Sequence, residues 1–253
     1  MRFLPRVIIA VVGSAVGIGI LVLIAWLAMP GGTTIAGKGQ SPVDLPDFPP
    51  ASSVTRAPAG VAAQVATRAA PAWIASTAER TGIPARALEA YAGVALDIEQ
   101  QNPTCGIGWN TLAAIGEIES RHGTIFGGSI QADGTASPAI FGVALNGEGF
   151  ADIPDSDGGT IDGDAEADRA VGPMQLIPQT WRNWHVDANG DGVQNPQNID
   201  DATLASAHYL CRAGKDLTAA AGWRAAVLAY NSSDEYLTDV IRYAVGYAGQ
   251  AAK

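Results

Sequence analysis

Val7 to Met29 is a run of 23 residues without a charged side chain. As a helix rising about 1.5 Å per residue it reaches about 35 Å, enough to cross a hydrocarbon core about 30 Å thick. Arg2 and Arg6 precede it, so the positive-inside rule predicts a cytoplasmic N-terminus and export of everything that follows. A cleavable signal peptide has an apolar stretch of about 7–15 residues and a small-residue cleavage site. The run here is longer, with Trp26 and Met29 near its exit. An uncleaved single-pass anchor over residues 1–29 is therefore the expectation, with cleavage as the alternative. This feature divides the chain into a membrane part and an extracytoplasmic part, and each must satisfy a different solvent.

Residues 30–60 are dense in Pro, Gly, Ser and Thr and follow neither a helical nor a strand period. They read as a linker whose mean reach is roughly 30 Å. Residues 61–253 then form the folded domain. Export implies an oxidising compartment, and two cysteines, Cys105 and Cys211, suit one disulfide there; two buried free thiols are the alternative.

The domain reads as mainly α. A helix is expected from about Pro71 to Thr81, stopped by Gly82, with Pro71 suited to a first turn. Further helices are expected over Ala85–Gln101, Trp109–His122, Pro178–Val186, Asp200–Ala213, Trp223–Asn231 and Glu235–Ala248. A short strand is possible near Ile140–Leu145, and no internal repeat is visible.

The net charge is −10. Phosphate neutralisation needs clustered Lys and Arg, so a nucleic-acid partner is excluded. Residues 151–201 hold eleven acids and two bases and carry nine of the ten net negative charges. Such a segment is either a solvated loop face or a cation site.

Within Trp109–Gly123 the apolar residues Leu112, Ile115 and Ile118 define a stripe. On a helical wheel Glu119 falls about 40° from its centre and Glu117 about 160° away. Glu117 is expected in solvent. Glu119 is expected half-buried on the shoulder of the apolar face, where burial favours its neutral form and raises its pKa. That property suits a general acid near neutral pH. Pairing with Arg121, Arg169 or Arg224 is the structural alternative.

The stretch Ala-Ile-Gly-Glu-Ile-Glu-Ser-Arg-His-Gly (114–123), followed by Ala-Val-Gly-Pro-Met-Gln-Leu-Ile-Pro-Gln-Thr-Trp (170–181), resembles the lytic murein transglycosylases. Asp200-Asp201-Ala202, Ala207-His208-Tyr209-Leu210 and Ala229-Tyr230-Asn231 extend the match over roughly residues 84–249. The likeness is to the membrane-bound B-type branch and its actinobacterial relatives. It implies a lysozyme-like helical domain in which Glu119 protonates the bond between N-acetylmuramic acid and N-acetylglucosamine. The same carboxylate then deprotonates the muramic C6 hydroxyl, closing a 1,6-anhydro ring without water. Met174, Gln175, Tyr230 and Asn231 would bind the sugars, with the Tyr230 hydroxyl within reach of the acid. Peptidoglycan strands are the implied partner, and other cell-wall enzymes are possible ones. A water-using hydrolase remains open, with Asp133, Glu148 or Asp152 as a second acid. So do a non-catalytic glycan scaffold and a calcium-responsive interaction domain.

Asp187, Asn189 and Asp191 with Gly192 and Val193 follow the D-x-[DN]-x-[DN]-G pattern of calcium loops. The twelfth position is Asn198 instead of an acid; Asp200 is a possible substitute. A structural Ca²⁺ is therefore a candidate, against a turn stabilised by its own hydrogen bonds. The chemistry itself needs no cofactor. The run Asp155–Asp164 lacks a known ligand spacing, and Asp168-Arg169 is expected to form a local ion pair. His122, His185 and His208 are too dispersed for a metal site and read as surface or capping residues.

Overall fold

The computed structural model describes residues 46, 48–58, 64–148 and 151–253. The expected anchor over Val7–Met29 and most of the linker lie outside the described residues. Among the described residues, no helix is long and apolar enough to cross a membrane.

Seven α-helices and four short strands are found there: α1 Pro71–Thr81, α2 Ala85–Gln101, α3 Trp109–Ser120, β1 Ser129–Ile130, β2 Ala136–Ser137, β3 Phe141–Ala144, β4 Arg169–Val171, α4 Pro178–Trp184, α5 Ile199–Gly214, α6 Ala220–Tyr230 and α7 Asp234–Ala251. A turn of 3-10 helix at Val65–Thr67 leads into α1. The mainly helical reading holds, and the bounds follow local chemistry. Pro71 opens α1 where a missing N–H costs nothing, and Gly82 closes it in a left-handed conformation. Asn198 and Ser233 cap α5 and α7 by accepting the N–H of Asp200 and Tyr236.

α3 is the central element. It packs on α2 and α7, α5 packs on α2 and α6, and α1 packs on α2 and α7. Trp109, Tyr91, Leu112, Ile115 and Trp223 are fully buried between these helices. Trp223 Nε1 donates to Thr111 Oγ1 at 3.1 Å, so the indole enters the core with its polar atom satisfied. Gly116 lies mid-helix because the Tyr91 hydroxyl occupies the place a Cβ would take. The helix-forming penalty of glycine is offset by this close approach of α2 and α3.

The expected disulfide is present: Cys105 and Cys211 are joined with Cα atoms 5.3 Å apart. It ties the α2–α3 loop to the last turn of α5.

The β1–β2 and β3–β4 pairs are antiparallel, with Ile130 opposite Ala136 and Phe141 opposite Val171. Only β3 was anticipated from sequence. Strands of two to four residues carry too little alternation to stand out from loops. These strand pairs and the acidic segment form a polar lobe beside the helices, over a small cluster of Leu145, Ala170 and Ile177.

Candidate active site

Glu119 lies in the last turn of α3 and is 5% exposed, more buried than the helical wheel suggests. The wheel registers the stripe of α3 but not the start of α7, whose Tyr236 covers the carboxyl. Tyr236 Oη donates to Glu119 Oε1 at 2.6 Å. None of the ion pairs among the described residues involves Glu119. Burial pushes its pKa up to about 8, and the Tyr236 bond pulls in the opposite direction. At neutral pH the carboxyl is thus mostly protonated, which allows it to give a proton.

Because the hydroxyl stabilises the ionised form, Tyr236→Phe is expected to raise the Glu119 titration midpoint further, by about one unit. Carbon-detected NMR of the labelled carboxyl measures it; a midpoint that stays or falls contradicts this geometry.

A tight turn stands beside the acid. β4 ends at Val171, whose backbone exchanges hydrogen bonds with Leu176 at 2.9 and 3.1 Å. Gly172 has φ +75°, and a Cβ there would overlap the Pro196 carbonyl, so only glycine fits. Gln175 is also left-handed, at φ 48°. Its Nε2 donates to the Gly172 carbonyl at 2.9 Å, bracing the turn, and its Oε1 lies beside Gly142 of β3. Two hydroxyls pin the turn to the helices. Ser120 Oγ donates to the Pro173 carbonyl and Tyr230 Oη to the Met174 carbonyl, each at 2.6 Å.

Several expected positions change role. Met174 is fully buried in the main core, because its thioether gains more there than beside solvent; it anchors the turn instead of being presented with Gln175. The Tyr230 hydroxyl bonds Met174 and lies 3.1 Å from Ser206 Oγ; Tyr236, absent from the sequence reading, bonds the acid instead. The signal that marks Tyr236 is an aromatic in the first turn of the helix that follows Tyr230-Asn231. Asn231 is buried at the end of α6, where its Oδ1 accepts the Ser233 N–H at 3.1 Å.

Glu117 is half-buried, not solvated, and lies 3.0 Å from His122 Nε2. His122 is buried, not a surface residue. A hydrogen bond from His122 holds the Glu117 carboxyl below its ordinary range. The turn ending α3 folds His122 back beneath the helix, a step that no wheel represents.

The acidic lobe also departs from expectation. Asp168 accepts Ser156 N and Oγ at 2.8 and 2.7 Å, while Arg169 pairs with Asp164 at 2.7 Å. Consecutive residues entering a strand point to opposite faces, so the local pair does not form. Asp155, Asp157 and Asp168 each place a carboxylate oxygen within 4.8 Å of the others, a set that could hold a cation. Asp157 Oδ1 is buried without a hydrogen-bond partner among the described residues. Burial and the neighbouring carboxylates raise the Asp157 pKa.

In the 187–198 loop, Asp187 accepts the N–H groups of Gly190, Asp191 and Gly192 at 2.7–3.1 Å. Asn189 Oδ1 accepts the Asp191 N–H, and Asp191 Oδ1 accepts the Val193 N–H. These side chains and the Val193 carbonyl are oxygen donors of the type Ca²⁺ takes. Asn198 is turned away to cap α5 and to donate to the Asp133 carbonyl at 2.9 Å. Asp200 does not replace it, because Arg86 holds it through two bonds at 3.0 and 2.5 Å. Asp201 closes the loop by accepting the Ala188 and Asn195 N–H groups at 2.7 and 3.0 Å.

A cavity of about 700 Å³ lies elsewhere, between residues 57–58 and 64–74 on one side and the acids Glu89, Asp133, Asp191 and Asp200 on the other, and Glu119 does not line it. Comparison of the chain with protein-family models, curated proteins and solved structures finds no match.

Proposed function

We propose that the protein is a peptidoglycan lytic transglycosylase with a lysozyme-like domain, carried outside the membrane on an N-terminal single-pass anchor. The observation that supports this most is Glu119: a buried carboxyl, bonded by a tyrosine instead of a base, beside a braced Gly-Pro-Met-Gln turn. Protonated Glu119 gives its proton to the glycosidic oxygen as that oxygen leaves the muramic C1. Positive charge develops at C1, and the carboxylate left behind lies in a low-dielectric site where its attraction to that charge is strong. The C6 hydroxyl oxygen then bonds to C1, and its proton passes to Glu119. The carboxyl is restored, no water is consumed, and no second carboxylate is required. Tyr236, through its bond to Oε1, stabilises the ionised form between the two transfers.

Gln175 and Asn231, whose amides brace the Gly172 turn and the start of α7 in this structure, carry the group type suited to acetamido sugars and are the sugar-binding residues of this proposal. A structural Ca²⁺ on Asp187, Asn189, Asp191 and the Val193 carbonyl belongs to the same proposal. The Cys105–Cys211 disulfide is consistent with an exported domain.

The test is mass spectrometry of products from purified peptidoglycan. Anhydro ends, lighter by one water than hydrolytic ends, are expected. Reducing ends would identify a hydrolase. Sacculus binding without released muropeptides would identify a scaffold.

A further inference from the structure

We propose that His122, held by Glu117, Tyr91 and Tyr247, is a positioning residue for Glu119: it locks the left-handed turn that ends α3 and thereby fixes where the acid sits. This inference rests on the reading of Glu119 as the proton donor.

Glu119 occupies the last turn of α3, and helix ends fray unless their free carbonyls are satisfied. Here the chain reverses through three successive left-handed residues, Arg121, His122 and Gly123, at φ 52°, 57° and 80°. Two of these are not glycine, so the conformation is disfavoured at each and must be held by its surroundings. The reversal brings the Arg121 N–H to the Glu117 carbonyl and the His122 N–H to the Gly116 carbonyl, both at 2.9 Å. Gly123 N–H reaches Ser120 Oγ at 2.8 Å, the same hydroxyl that pins the Pro173 carbonyl.

The side chain supplying the hold is His122. Its Nδ1 lies 3.1 Å from Tyr91 Oη on α2. Its Nε2 lies 3.0 Å from Tyr247 Oη on α7 and 3.0 Å from Glu117 Oε2 on α3. One imidazole thus joins three helices at the point where the catalytic helix stops. Each ring nitrogen therefore has a partner: Nδ1 the Tyr91 hydroxyl, and Nε2 the Glu117 carboxylate and the Tyr247 hydroxyl. The other charged or titratable groups near this network are Arg121 at the end of α3, which adds to the charge felt by Glu117, and Arg242 and Tyr243 on α7. Glu117 and Glu119 are two residues apart, about 200° around the helix. The network therefore lies on the far side of α3 from the acid and acts through the backbone, not on the sugar.

The test compares the wild type with His122→Phe, His122→Asn and Glu117→Gln, using the full chain. Phe fills the ring space without any of the three polar contacts. Asn tolerates left-handed backbone but lacks the reach to Glu117. Circular dichroism and melting establish that each variant is folded. For His122→Phe we expect kcat about 10- to 100-fold lower, KM within about twofold, and a Glu119 titration midpoint moved toward the ordinary carboxylate range by about one unit. Glu117→Gln and His122→Asn should move both readouts in the same direction by smaller amounts.

A purely structural role would lower the melting temperature yet leave kcat per folded molecule and the Glu119 midpoint unchanged, which overturns the proposal. If His122→Phe does not fold, Glu117→Gln decides on the same two readouts. Should the wild type release no anhydro products, the enzymatic reading fails, while the Glu119 midpoint still decides whether His122 positions that carboxyl.

Discussion

If the protein is the transglycosylase proposed above, replacing Glu119 with Gln is expected to lower muralytic activity by about 10³–10⁴-fold, because in that reaction one carboxyl serves as both acid and base. Gln keeps the shape and an oxygen to accept the Tyr236 hydroxyl, so the fold survives. It has no titrating proton, so neither half of the transfer is available. The wild-type activity should fall as pH rises past about 8, where Glu119 loses the proton it must donate.

Stability changes with pH in a defined sense. The folded pKa lies above the ordinary 4.5, so the contribution of this group is full below 4.5 and is lost as pH rises through about 8. Glu119→Gln removes that dependence, and the variant should lose less stability than the wild type between pH 5 and pH 9. Denaturant titrations of both proteins at the two pH values measure this. A variant that retains activity, or whose stability falls as steeply as the wild type, contradicts the assignment.

Removing the disulfide has the largest expected effect on stability. Cys105 and Cys211 are 106 residues apart, and in the chain-entropy description closing so long a loop contributes about 4–5 kcal/mol. The double variant Cys105→Ala, Cys211→Ala should melt roughly 10–15 °C lower than the oxidised wild type. The bridge joins the loop before α3 to α5, so its loss loosens the two helices that carry Glu119 and back the Gln175 turn. Activity per folded molecule at low temperature should change little, since no bond to Glu119 is removed. Unfolding midpoints of the double variant and of reduced wild type should coincide; a loss below about 1 kcal/mol in both would show that native packing already restricts the loop.

The helical skeleton was legible because its signals are local. Ala85–Gln101 was recoverable from an unbroken helix-forming run and the following Asn-Pro, with Pro84, expected in the first turn, serving as the N-cap just outside it. Pro71 and Gly82 bracket α1 for equally local reasons. Glu119 stood out because a carboxyl near an apolar stripe is unusual within one helix. Asn198 shows the limit: a loop-ligand pattern and a helix cap require similar residue types, and only the start of α5 reveals which one it serves. Tyr236 and His122 were missed for a related reason, since each acts on a residue of another helix or of a turn that reverses direction.

The order of elements, the two cysteines and the presence of one acid with a half-apolar environment were set by sequence, because capping, periodicity and composition act over a few residues. The depth of Glu119, the tyrosine that bonds it, the tie from Ser120 to the Pro173 turn and the three-helix hold on His122 were decided by tertiary structure. These depend on which helices meet, and hydrogen bonds from side chains to partners 31 to 125 residues away exist only once packing has brought them within about 3 Å.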